Sequence, residues 1–100
     1  MIFDLILARS AQEELERLER SPRYAGLVKQ IKKTIGCLQT NLRHPSLQTH
    51  PFHSLEHPYN PNETVFEAYV QPHRPAEYRL FWCYGPRKGQ ITVLAITPPP

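Results

Sequence analysis

The sequence predicts a small α+β domain in the order β-α-α-β-β-β, with an antiparallel sheet and two N-terminal helices packed on one face. Three observations predict it. Residues 2–7 form a short apolar run in which Phe3, Leu5 and Leu7 alternate with Ile2, Asp4 and Ile6. From Tyr24 to Leu42, apolar residues recur at three- and four-residue steps, as on one helical face. The last third is rich in aromatic and β-branched residues, broken by turn chemistry. With 100 residues there is room for one core and no second, so a single domain spans residues 1–100.

After the first strand, Ser10-Ala11-Gln12-Glu13 reads as a capping box that starts a helix at Ala11 and carries it to about Arg20. Leu15 and Leu18 form its apolar stripe. Ser21-Pro22 is the next start signal, a cap residue followed by proline at the first helical position. The second helix then presents Tyr24, Leu27, Val28, Ile31, Ile35, Leu38 and Leu42 on one face, and Pro45 ends it. Gly36 in its interior is read as a site of close packing. Residues 44–63 form a long loop with four prolines and four of the five histidines. Loops of that length in a compact domain are commonly functional. Strands follow at 64–70, 78–84 and 90–96, with Gly85-Pro86-Arg87-Lys88-Gly89 as the turn between the last two. The Pro98-Pro99-Pro100 tail cannot continue a ladder.

Hydrophobic residues make up 40% of the chain and charged ones 21%, with a net charge of +3. That balance excludes a disordered chain and gives a basic tilt. No stretch is apolar and long enough to span a bilayer, and Asp4 interrupts the opening run, which lacks a basic start. Cys37 and Cys83 alone make no disulfide framework and are read as reduced thiols. The expected compartment is the cytoplasm, with no membrane partner.

Arg79 is the first candidate functional residue, because a charged side chain inside an apolar strand needs a reason. One reason is chemical, since a guanidinium fork holds phosphate. The other is structural, an ion pair with Glu67 or Glu77. The histidines 44, 50, 53 and 57 match no zinc-ligand spacing, so neither metal nor cofactor is expected. Their imidazoles remain suited to acid–base work. Lys29, Lys32, Lys33 and Arg43 on or near the second helix, and Arg87 with Lys88 at the turn, are the candidate nucleic-acid contacts.

The segment Tyr78-Arg79-Leu80-Phe81-Trp82, its turn and the final Ile91-Thr92-Val93-Leu94-Ala95-Ile96 resemble the RelE/ParE family of bacterial toxins. The Ser10-Ala11-Gln12-Glu13-Glu14-Leu15 helix start and the element order agree with it. The resemblance implies the toxin of a toxin–antitoxin pair, with an antitoxin protein as partner. RelE-type members cut messenger RNA on the ribosome without metal, the ribose 2′-hydroxyl attacking the adjacent phosphate. ParE-type members poison DNA gyrase instead, and a silent relative would only bind protein.

Carried over by position, Arg79 matches the family's central phosphate-binding arginine. Glu67 and Tyr69 fall where some RelE-type members carry lysines. The group those nucleases place after the last strand is missing from Thr97-Pro98-Pro99-Pro100. The expected catalytic set is therefore Arg79, Glu67, Tyr84 and His53, with His50 and His73 as further imidazoles that can stand in for the missing group.

Overall fold

The computed structural model describes residues 2–70 and 78–99. Its elements are β1 (Asp4–Leu7), α1 (Arg9–Glu19), α2 (Ala25–Thr40), β2 (His50–Phe52), β3 (Val65–Tyr69), β4 (Arg79–Tyr84) and β5 (Gln90–Thr97). Short 3₁₀ turns at Pro22–Tyr24 and Pro45–Leu47 precede α2 and β2. The five strands form one sheet in the order β1-β5-β4-β3-β2. The fold is thus α+β, with two differences from the expected sheet. β1 joins at one edge but runs parallel to β5, a direction no hairpin constrains because the rest of the chain separates the two strands. β2, read as loop, is a fifth strand: Pro51 is tolerated there because β2 is an edge with only β3 as neighbour.

Helix boundaries also shift. The Ala8 amide bonds the Val93 carbonyl, so the chain is still extended there, and α1 starts at Arg9 directly after the strand. Ser10 lies inside the first turn and caps nothing; the Ala8 carbonyl accepts the Gln12 amide instead. Ser21 likewise makes no side-chain cap, and α2 stops at Thr40, where Asn41 leaves helical geometry.

Side-chain parity divides the sheet into two faces. Leu80, Trp82, Ala68, Val70, Ile91, Val93 and Ile96 pack with Ala11, Leu15 and Leu18 of α1 and Ile31, Ile35 and Leu38 of α2. Leu27 and Leu42 of the predicted stripe are only half-buried against this core. A β-bulge between Phe81 and Trp82 pairs them with Ala95 and Val93 and leaves Leu94 without a register partner. That extra residue resets the alternation, which puts both Val93 and Ile96 on the helix side. Gly36 is not a close-packing site, since a Cβ built there meets nothing within 4 Å.

Candidate active site on the open face of the sheet

The face away from the helices has two halves. Val65, Phe81 and Cys83 form a small apolar cluster with Phe52, Leu94 and Ala95. Burial pushes the Cys83 thiol up to about 11, with Glu63 adding to the shift, so the thiolate is disfavoured. The other half is ionic. Register places His50 across from Glu67, and Tyr69 across from Arg79, which in turn faces Thr97.

Glu67 is the hub of the ionic half. Its side chain is only 6% exposed, and each carboxylate oxygen meets a donor. His50 Nε2 lies 2.6 Å from Oε1 and Arg79 donates to Oε2 at 2.8 Å. A buried carboxylate requires such partners. His50 Nδ1 also lies 2.8 Å from the Gln48 carbonyl. Both ring nitrogens face acceptors, and only the doubly protonated ring donates both bonds at once. The His50 ring leans on Tyr69 at 5.8 Å, and the Arg79 guanidinium stands 5.3 Å from the Phe81 ring. His50 is 44% exposed and Arg79 24%, so both reach solvent while Glu67 lies beneath them. One carboxylate flanked by an imidazolium and a guanidinium leaves the site cationic, which suits an anionic substrate.

The structure brings Arg79 and Glu67 together and does not bring Tyr84 or His53 to them. Tyr84 is five residues from Arg79 along β4, about 16 Å, and odd–even parity turns it to the opposite face. There it meets Phe3, Phe66 and Trp82. His53 follows β2 beyond the Phe52–Val65 pair, roughly 13 Å of strand from the Tyr69–Arg79 pair. Its place is taken by His50, which the sequence offered only as one imidazole among several. His73 and Glu77 lie outside the described residues.

The remaining histidines have separate tasks. His44 Nδ1 accepts from the Ser46 amide and hydroxyl. His57 is 3% exposed, its Nδ1 accepting the Tyr59 and Asn60 amides while Nε2–H donates to the Tyr84 carbonyl. Tyr59 then packs on Gly85 and donates its hydroxyl to Thr92 Oγ1, so this loop straps the β4–β5 hairpin. Gly85 has φ of 113°, a conformation that glycine permits, and a Cβ there would press on Tyr59 at 3.1 Å.

The predicted docking charges do not surround Arg79 either. Lys29 and Lys33 line a groove on α2 with His44 and Ser46, on the helix layer, and Lys32 pairs with Glu19. Arg87 and Lys88 sit at the hairpin tip, at the far end of β4 from Arg79. Gln39 near the end of α2 bonds Phe3, and Asp4 bonds Gly89, so Arg43 gathers at the same end as the tip. Across from these, Glu14 is held below the usual carboxylate range, chiefly by its hydrogen bond from Arg17, and accepts the Tyr78 hydroxyl.

A site of this make-up can bind a phosphate, give up a proton and accept one. Among the described residues no helix is long and apolar enough to cross a membrane. Neither a family model, nor a curated protein, nor a solved structure matches the chain.

Proposed function

We propose that the chain is a RelE/ParE-like toxin of a toxin–antitoxin pair that cuts ribosome-bound messenger RNA in the cytoplasm, with chemistry on the open face of its sheet. The observation that carries this reading is the His50–Glu67–Arg79 chain: an imidazole, a carboxylate and a phosphate-binding cation in direct contact on one accessible surface.

In this reading the scissile phosphate draws Arg79 off Glu67, which leaves Oε2 open. Glu67 takes the proton of the ribose 2′-hydroxyl, and the 2′-oxygen forms its bond to phosphorus. Arg79 stabilises the added negative charge of the phosphorane. The bond to the 5′-oxygen breaks as His50 supplies that oxygen with a proton. The products are a 2′,3′-cyclic phosphate and a free 5′-hydroxyl. Proton transfer from Glu67 to His50, already 2.6 Å apart, restores both groups. The basic hairpin tip and Arg43 then act as remote docking charge for RNA rather than as contacts to the reacting phosphate.

Inducing the protein in bacteria while mapping messenger RNA ends and DNA breaks tests the target. New RNA ends without DNA breaks support cleavage. Arg79→Ala and Arg79→Lys test the site: ribosome-dependent cleavage per folded molecule falls about a hundredfold or more in the alanine variant, and substantially in the lysine variant. Undiminished cleavage in Arg79→Ala would remove the guanidinium from the reaction. The buried Glu67 partner of Arg79 favours one second reading, a structural brace in a protein that inhibits gyrase or another protein by binding. DNA breaks with intact RNA, and an Arg79→Ala variant that loses stability only, support that reading.

A further inference from the structure

Two donors on the open face have no acceptor. Arg79 Nε and Thr97 Oγ1 are both buried and lack a hydrogen-bond partner. They belong to directly paired residues of β4 and β5. Such cross-strand neighbours on one face hold their Cβ atoms about 5 Å apart. The rest of the Arg79 head group is accounted for on the Glu67 side, where it donates through one terminal nitrogen. Buried polar groups are nearly always hydrogen-bonded, so two adjacent orphans on the accessible side of a cationic site point to one shared acceptor.

We propose that Thr97 is a substrate-contacting residue: its hydroxyl and Arg79 Nε–H together hold non-bridging oxygens of the phosphodiester. This rests on the reading of the open face as a phosphodiester site. The chemistry fits the pair. A phosphodiester carries two non-bridging oxygens, and a guanidinium Nε–H beside a hydroxyl offers two donors to them without adding charge. Thr97 also occupies the end of the last strand, where the chain seemed to lack any functional side chain. It reaches the site because the bulge at Leu94 turns it to the open face. Without that extra residue, alternation from Val93 would send Thr97 toward the helices.

The test uses the full chain, inorganic phosphate as probe and the Arg79 Nε–H resonance as readout. In the parent protein and in Thr97→Ser, phosphate shifts that resonance saturably. In Thr97→Val, which keeps the shape and loses the hydroxyl, phosphate binds about tenfold more weakly and RNA cleavage per folded molecule falls by a similar factor. Thr97→Ala carries the same comparison if the valine variant does not fold. Phosphate binding as tight in the hydroxyl-free variants as in the parent overturns the proposal, as does a parent whose Arg79 Nε–H ignores phosphate. Phosphate binding that depends on Thr97 in a protein that cuts no RNA upholds this contact and sinks the nuclease reading. Cleavage that is equal in parent and Thr97→Val does the opposite.

Discussion

The two faces of the sheet are built from the same strands and obey different rules. Toward the helices, β3, β4 and β5 contribute Ala68, Leu80, Trp82, Ile91, Val93 and Ile96, and nothing there requires a specific partner. Toward solvent, alternate residues of the same strands contribute Glu67, Arg79 and Thr97, whose polar atoms require particular neighbours. Burial of hydrocarbon is non-directional and sums over the whole helix-covered face. Ionic contacts are directional and local, so the open face adds little to stability but fixes geometry. A small domain can hold a strained polar site on one face because the other face supplies the stabilisation.

Substitutions on α2 probe that division most strongly. Ile31 is fully buried in the helix-side core, and Ile31→Ala should cost about 2–5 kcal/mol in a denaturation curve. On the same helix Gly36→Ala should stabilise by up to about 1 kcal/mol, because the added Cβ meets only open space. An Ile31→Ala protein as stable as the parent would mean that the helix face is not where stability resides.

The loop strap on the open side should matter less than the core. His57→Ala removes one donated and two accepted hydrogen bonds from a buried ring, and the expected loss is about 1–3 kcal/mol. Amide exchange at Tyr59 and Asn60 should quicken with it. A larger loss than for Ile31→Ala would invert the ranking of the faces.

The smallest effect belongs to the Glu14–Arg17–Tyr78 contact at the surface. Arg17 holds the Glu14 carboxyl below its ordinary range, so the folded chain favours the carboxylate. The resulting stability is present above the usual carboxylate range and is lost as pH falls through the lowered value. Melting temperatures of the parent and Glu14→Gln should therefore converge on acidification below about pH 4. A gap that stays constant over that range would show that the contact does not carry the pH dependence.

The order of elements was legible because each long element announces itself locally. Ile31, Ile35 and Leu38 keep helical spacing, and the aromatic strands lie beside glycine and proline turns. β2 was not legible, since three residues containing Pro51 carry no periodic signal and exist as strand only through β3. The bulge was hidden as well: Val93, Leu94, Ala95 and Ile96 form a continuous apolar run that fits either parity. Of the site, Arg79 stood out as a charge among apolar residues, and Glu67 was near enough in pattern to be named. Tyr84 and His53 were drawn from the right elements at the wrong end or face, because parity and strand position decide what meets Arg79. His50 and Thr97 needed the register itself.

The bulge also makes the site sensitive to chain length rather than to side-chain identity at one position. Leu94 has no register partner, so replacing it changes one side chain on a partly covered surface. Deleting it shifts the frame of everything after it: Ala95 would turn toward the helices, Ile96 toward solvent, and Thr97 away from Arg79. In a deletion scan of β5, position 94 should accept many substitutions and no loss. A lineage carrying this fold can then change the amino acid there freely, while a single lost codon exchanges the core-facing and solvent-facing residues of the strand's last quarter-turn in one step.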